Sequence, residues 1–301
     1  MRRGLAGHML AAVRAIKENA KLVDVVIEVV DARAPAATRS PMLGRILSGR
    51  QRVIALAKSD LAEPDTTSAW VERFAREGVR AFAIDSRTGE GVRALLEGCR
   101  AIGGVKAERL AEKGIRRPLR LMVVGVPNVG KSSLINRMTG RAAARTGAKP
   151  GITRGKQWIR IAGDMEVLDL PGILEAAASS MDAVVKMVLT GIIPDDACDP
   201  EEAALVLLEG LAYGTWSIVY DAAHGDPLKN ALETIVREGE GGETQQDDRR
   251  RALLAGLEEY GRRRGCMAQG GRVDLRRSAL MLIKEVRDGR YGKISLERPE
   301  Q

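Results

Sequence analysis

The chain has 301 residues, enough for two domains of ordinary size, and 45% of them are hydrophobic and 29% charged, as in folded globular proteins. Aromatic residues make up only 3%, which excludes base stacking on Phe, Tyr and Trp as a widespread means of binding nucleic acid. Three distant cysteines and the lack of a long apolar run exclude a disulfide framework and a membrane partner, while a net charge of +8 favours a polyanion; we expect a cytoplasmic protein.

Strands and helices alternate over residues 1–178, which we predict to be the first domain. A helix over residues 9–21 precedes a β-branched strand at Val23–Val30. Alternation of this kind is typical of an α/β fold with a doubly wound, mostly parallel sheet, in which ligands bind at the carboxyl ends of the strands. Further strands are predicted at residues 52–56, 79–84, 119–124, 157–161 and 165–168, and helices at residues 65–77 and onward from Gly91 to about Lys113.

Residues 179–301 form the predicted second domain, which we expect to be small and all-helical. Its positive charge is concentrated at the end, because the residues from Arg249 onward include 14 Arg and Lys but only 7 Asp and Glu. These charges favour a polyanion, although a solvated helix face is the commoner reason for such clusters. The helices are predicted at residues 201–213, 227–238, 249–264 and 273–288, and the candidate RNA-binding residues are Arg262, Arg263, Arg264, Arg276 and Arg277.

A phosphate-binding loop occupies Gly125–Ser133, between a predicted strand and a predicted helix start. It matches the pattern G-x-x-x-x-G-K-[ST], so its backbone N–H groups and a helix N-terminus would face a phosphate. Lys131 supplies a full positive charge and is a candidate catalytic residue, and Ser132 offers a hydroxyl to Mg²⁺. The strand and helix argue against a chance match, and the residues expected at the nucleotide are Asn128, Val129, Gly130, Lys131, Ser132 and Ser133.

Asp169-Leu-Pro-Gly172 follows another strand and suits the second phosphate contact of a nucleotide hydrolase. Asp169 would hold Mg²⁺, through water, and the Gly172 N–H would contact the γ-phosphate. Thr153, in a segment rich in Gly and Pro, would complete the Mg²⁺ shell. Each of these is also a common loop residue, so the assignment depends on the phosphate loop.

Two turns further upstream resemble the base-reading turns of GTPases. Lys58 and Asp60 match the Asn-Lys-x-Asp turn, in which the carboxylate accepts hydrogen bonds from guanine N1 and N2. Ser86, with the backbone of Arg87, resembles the Ser-Ala-Lys turn whose N–H groups meet guanine O6. Adenine offers no matching pair of donors to Asp60. GTP and GDP are therefore the predicted ligands.

The order of these turns is reversed relative to ordinary GTPases, because the guanine-reading turns precede the phosphate loop. In this the chain resembles the circularly permuted ribosome-assembly GTPases, most closely the ribosome biogenesis GTPase A family. The resemblance implies a P-loop GTPase that acts on the large ribosomal subunit, with a C-terminal domain that contacts rRNA rather than DNA. The segments that carry it are Gly7–Met9, Val23–Pro35, Gly125–Ser133, Pro150–Arg154, Asp169–Gly172, Gly261–Cys266 and Gly270–Leu275.

Two positions bear on catalysis. Ala57 stands where the family has Asn, which predicts weaker nucleotide binding, and Ile173 stands where many GTPases have a water-orienting Gln. Hydrolysis should then be slow in the isolated protein. Asn128 resembles the asparagine that binds K⁺ in potassium-activated GTPases, so K⁺ is a second candidate cofactor beside Mg²⁺. The resemblance also marks His8 as a catalytic candidate, with a surface histidine as the equal alternative.

Two other functions compete with a ribosome-stimulated GTPase. A nucleotide-gated RNA-binding scaffold with little hydrolysis would use the same residues, and stimulation by purified subunits would distinguish it. A small-molecule kinase would use the same phosphate loop. Lys58 and Asp60 argue against the kinase, since they select guanine.

Overall fold

The computed structural model describes residues 13–140, 157–161, 164–169, 180–220, 227–239 and 246–299. They fall into two compact units. The first draws on Met1–Asp60 and Pro64–Ala177, and the second on Leu61–Glu63 and Ala178–Glu300. None of the helices in the described ranges combines the length and apolar character of a membrane span.

The first unit is a six-stranded sheet with helices between its strands. The strands are β1 (Val25–Asp31), β2 (Arg52–Ala57), β3 (Arg80–Ile84), β4 (Leu119–Val124), β5 (Gln157–Ile161) and β6 (Met165–Asp169). The helices are α1 (residues 13–20), α2 (Pro35–Thr38), α3 (Pro41–Ile46), α4 (Pro64–Arg76), α5 (Val92–Glu112) and α6 (Lys131–Thr139).

The sheet order is β3-β2-β1-β4-β6-β5, and only β5 runs antiparallel to its neighbour. This confirms the predicted doubly wound, mostly parallel sheet. Strand β1 lies inside the sheet and is buried along its whole length, as its run of β-branched residues predicts. The register pairs Asp31 with Ala57 and Ala57 with Ile84, so three neighbouring strands end in one row.

The second unit contains α7 (Met181–Thr190), α8 (Pro200–Ala212), α9 (Pro227–Gly239), α10 (Gln246–Arg263) and α11 (Leu275–Arg287). It also contains β7 (Ser217–Tyr220) and β8 (Gly292–Ser295), which pair as an antiparallel ribbon. The region is mostly helical, as expected, but the prediction that it is all-helical is wrong because it contains this ribbon. Each strand has four residues, which is too short for an alternating pattern to stand out.

Helix α7 was missed in the sequence, although it carries a recognisable start and stop. The Ser180 hydroxyl accepts a hydrogen bond from the Ala183 N–H, and Gly191 ends the helix at φ +74°. The face between them is largely buried. The ten residues of α7 are fewer than the window over which helical periodicity shows clearly.

Candidate functional site

The candidate site lies at the carboxyl edge of the sheet, where the ends of β1, β2, β3, β4 and β6 meet. The residues that follow these strands include every nucleotide-binding turn named from the sequence. Since β4 pairs with β6 up to Met122 and Leu168, the phosphate loop and Asp169 leave the sheet side by side. Parallel strands thus bring together turns that are far apart in the chain.

The phosphate loop is held against β1. Gly125 has φ +154°, and a Cβ there would lie 2.5 Å from the Val29 carbonyl oxygen, so only glycine fits. Asn128 adopts a left-handed conformation at φ +58°, and Gly130 at φ +111° leads into α6. Lys131, Ser132 and Ser133 are therefore the first three residues of the helix, where N–H groups lack intrahelical partners and attract anions.

The side chain of Lys131 folds back onto its own loop. Its Nζ donates a hydrogen bond to the Val126 carbonyl oxygen at 2.6 Å. Burial lowers the pKa of this amine from 10.5 to about 8, because the loss of water disfavours its charged form and no carboxylate in the described ranges offsets that loss. A phosphate in the loop would supply that missing negative charge.

The turn after β2 places Lys58 and Asp60 next to the phosphate loop. A Cβ on Gly130 would lie 3.6 Å from that of Ala57, the residue before Lys58. The Asp60 carboxylate is 27% exposed and makes a loose ion pair of 3.9 Å with Arg87. This carboxylate is open to a ligand.

Lys58 has φ +58° and forms a 3.0 Å ion pair with Asp31, at the end of the neighbouring strand. Burial opposes ionisation of Asp31, but the charges and hydrogen bonds of Arg33 and Lys58 prevail and lower its pKa to about 2. Sequence reasoning missed Asp31 and Arg33 as site residues. Their position was the available signal, since Asp31 ends the buried strand β1 and Arg33 lies two residues later, but this position does not show which residues they contact.

The turn after β3 is organised by Asp85. Its carboxylate accepts hydrogen bonds from the Arg87 N–H and the Thr88 hydroxyl, both at 2.7 Å. Burial opposes ionisation, yet these bonds hold the pKa of Asp85 below its usual value. The Arg87 N–H expected at guanine O6 is therefore already donated to Asp85. The buried Ser86 hydroxyl has no hydrogen-bond partner in the described part of the chain.

Arg137, on α6, links this turn to the helix of the phosphate loop. Its Nε donates to the Ser86 carbonyl oxygen at 2.8 Å. Its Cδ would lie 3.2 Å from a Cβ on Gly89, which has φ +93°. Sequence reasoning missed Arg137 because helix periodicity gives no sign of a contact with residues fifty positions upstream.

Several predicted residues lie outside the described ranges: His8, Thr153 and Gly172, together with the side chain of Asp169. The backbone of Asp169 ends β6 as expected. In the described ranges no three His, Cys, Asp or Glu residues are grouped to hold a metal ion. Ser132, in the first turn of α6, is a described residue whose hydroxyl oxygen suits Mg²⁺.

The basic residues of the second unit differ in their surroundings. Arg262 and Arg263 both contact Glu259, at 2.7 and 2.6 Å, and remain about half exposed. Arg264 is more buried and pairs with Glu285, a carboxylate that also accepts hydrogen bonds from Tyr260 and Tyr291.

Arg276 and Arg277 are exposed in the first turn of α11. The Asp274 side chain caps this helix by accepting from the Arg277 N–H at 2.9 Å. Positive charge at a helix N-terminus is unfavourable, since the helix dipole prefers anions there. Neither guanidinium therefore gains stability from its position on the helix.

Comparisons with known proteins identify the family of the chain. Residues 120–207 match a family described as 50S ribosome-binding GTPase. Ribosome biogenesis GTPase A of Bacillus cereus is 32% identical over 98% of this chain and 93% of its own length. The chain belongs to the ribosome biogenesis GTPase A family. The corresponding protein of Thermotoga maritima is 33% identical over 98% of this chain and 93% of its own length.

Solved structures support the same assignment. A GDP-bound structure of YlqF has a TM-score of 0.60 and 28% identity, covering 95% of this chain and all of that one. A GNP-bound YlqF from T. maritima has a TM-score of 0.59 and 29% identity over 96% and 98% of the two chains. The suspected family and the expected GTPase activity are thus confirmed. This ribosome biogenesis GTPase hydrolyses GTP.

Burial of Lys131 predicts that nucleotide binding takes up a proton at alkaline pH. Without nucleotide, part of the Lys131 population is neutral at about pH 8.5, whereas bound phosphate favours the charged form. Calorimetry of GDP binding in two buffers of different ionisation enthalpy should show an uptake that grows between about pH 7 and pH 8.5. In the Lys131→Arg variant, whose side chain stays charged, the proton uptake should not increase over this pH range. An uptake in the wild type that does not change with pH would contradict the assignment.

Proposed function

We propose that this GTPase is an assembly factor for the large ribosomal subunit and binds its rRNA in a nucleotide-dependent way. The observation that carries the proposal is the meeting of the Lys58–Asp60 turn, the Asp85–Arg87 turn and the phosphate loop at one sheet edge. The family to which the chain belongs supports the ribosomal part. The relatives named above are ribosome biogenesis proteins.

In the proposed complex, the guanine lies between the two upstream turns. Asp60 accepts the N1 and N2 hydrogens, the stem of Lys58 covers the ring, and the backbone N–H of Ser86 is the proposed donor to guanine O6. The phosphates lie on the N-terminus of α6. There the Lys131 amine breaks its hydrogen bond to the Val126 carbonyl oxygen and donates to a phosphate oxygen instead. GTPases use Mg²⁺ with their nucleotide, and here Ser132, Thr153 and Asp169 are the proposed ligands.

Hydrolysis needs a substitute for the usual glutamine, because the aliphatic Ile173 cannot orient water. We propose that Asn128 binds K⁺, whose charge would stabilise the transition state as an arginine finger does. The left-handed backbone of Asn128 suits a residue fixed for ligand contact. His8 is the second proposed catalytic group, brought to the nucleotide on contact with the ribosome.

The second unit is the proposed rRNA-binding part. Arg276 and Arg277 carry this assignment best, because their position on α11 costs stability that a polyanion would recover. Arg262 and Arg263 could exchange Glu259 for phosphate, whereas Arg264 is more strongly engaged by Glu285. The Asp169–Gly172 turn leads along the chain into this unit. Contact of the turn with γ-phosphate would therefore gate RNA binding.

The scaffold alternative is favoured by Ile173 alone and predicts that ribosomal subunits do not change the hydrolysis rate. We expect instead slow hydrolysis by the isolated protein and faster hydrolysis with large subunits, more so in K⁺ than in Na⁺. His8→Ala should lose the stimulation, whereas His224→Ala, at the chain's other histidine, should keep it. An unstimulated wild type would favour the scaffold. A fully stimulated His8→Ala would leave His8 without a catalytic role.

Asp60→Asn should change the base that the protein selects. An amide cannot accept two hydrogen bonds from guanine, but its N–H₂ can donate to the carbonyl that xanthine has at C2. We expect the affinity for GDP to fall by about 100-fold and the affinity for xanthosine diphosphate (XDP) to rise, both measured by displacement of a fluorescent nucleotide. Asp65→Asn removes an exposed carboxylate nearby and serves as the control. Unchanged GDP binding by Asp60→Asn would refute guanine reading by this residue.

Neutralising the first turn of α11 should weaken binding to the large subunit. The double variant Arg276→Gln/Arg277→Gln should lower affinity in a sedimentation assay and reduce the slope of log affinity against log salt by about 2. The control variant Arg76→Gln/Arg93→Gln removes equal charge from exposed helix positions of the first unit. It should change neither the affinity nor the salt slope. A similar loss in both double variants would mean that only net charge matters.

Wild-type binding in the same assay should be tighter with a non-hydrolysable GTP analogue than with GDP. Equal affinities would remove the proposed gating while leaving RNA binding intact.

A further inference from the structure

Three buried or half-buried charges meet beside the base-reading turn: Asp31, Arg33 and Lys58. Asp31 ends β1 with 0% of its side chain exposed, and Arg33 follows two residues later with 2% exposed. Lys58, at the end of the neighbouring strand, keeps 29% of its side chain exposed. Placing such charges in the interior is costly unless they have a defined geometry, so their arrangement calls for a function.

Asp31 and Arg33 are locked together. The Arg33 guanidinium donates two parallel hydrogen bonds to the Asp31 carboxylate, from Nε and a terminal nitrogen, both at 2.9 Å. The Arg33 backbone N–H adds a third at 3.1 Å. Thr38 fixes the backbone of the same turn, because its hydroxyl accepts from the Asp31 N–H and donates to the Ala34 carbonyl. The carboxylate is thus oriented before any ligand arrives.

One oxygen of this carboxylate also meets Lys58. Its Oδ2 lies 3.0 Å from the Lys58 Nζ, and the register places Asp31 directly beside Ala57. Lys58 has a left-handed backbone at φ +58°, which a lysine adopts only when its surroundings enforce it. The ion pair with Asp31 therefore restricts the Lys58 side chain to one conformation, whereas a free lysine samples many rotamers.

We propose that Asp31 and Arg33 form a buried clamp that positions Lys58 against the guanine ring. The inference rests on the proposed reading of guanine by Lys58 and Asp60. It deepens that reading by naming two positioning residues at the end of the neighbouring strand β1. The clamp does part of what the family's Asn does, since Ala57 has no amide to brace the turn. A nucleotide then binds a lysine that has already lost its rotamer freedom.

The test is a double-mutant cycle on GDP affinity, measured with the full chain by fluorescence titration. Asp31→Asn/Arg33→Met removes both charges together, so neither is left buried without a partner. We expect this variant and Lys58→Met each to weaken GDP binding by about tenfold. Combining them should cause no further loss, because the clamp acts only through Lys58. A merely structural role would give losses that multiply.

A second, milder variant guards against misfolding. Arg33→Lys keeps the charge but loses the parallel pair of hydrogen bonds, so it should weaken binding by about threefold and add nothing to Lys58→Met. Wild-type affinity in either clamp variant, or multiplied losses, would overturn the clamp while leaving guanine reading intact. Wild-type affinity in Lys58→Met would instead overturn the assignment of Lys58, and the clamp with it.

Discussion

The register of the parallel sheet is the constraint on which the site depends. Because Asp31, Ala57 and Ile84 end neighbouring strands in one row, the turns that follow them begin at the same height. The β4–β6 pairing brings the phosphate loop and Asp169 to the same edge. Chain order does not enter this geometry. A GTPase site can thus be built with its guanine-reading turns upstream of its phosphate loop.

Contacts between the turns then convert a shared edge into one site. The phosphate loop touches β1 at Gly125 and the base-reading turn at Gly130, where a side chain would meet Val29 or Ala57. Arg137 carries the connection from α6 to the Ser86 carbonyl. The phosphate-binding and base-binding halves are therefore packed on each other in the folded chain. This should limit how far either half can move without the other.

Much of this architecture was predictable from local sequence signals. All six strands of the sheet follow from apolar runs, and the phosphate loop from the spacing of Gly125, Gly130 and Lys131. The clamp was not predictable, because no local signal shows that Asp31 and Arg33, at the end of β1, contact Lys58, which follows β2. Nor was the β7–β8 ribbon, whose strands are short and distant in sequence. Apart from helix α7, what sequence reasoning missed is pairing between segments, which only the folded chain specifies.

The central claim is that these separate turns form a single nucleotide site, and a crystal structure of the GDP complex tests it most directly. The account predicts guanine N1 and N2 within hydrogen-bond distance of the Asp60 carboxylate. It also predicts that the Lys131 Nζ has left the Val126 carbonyl for a β-phosphate oxygen. A nucleotide bound elsewhere, or a base that contacts neither Lys58 nor Asp60 while Lys131 stays on Val126, would contradict it.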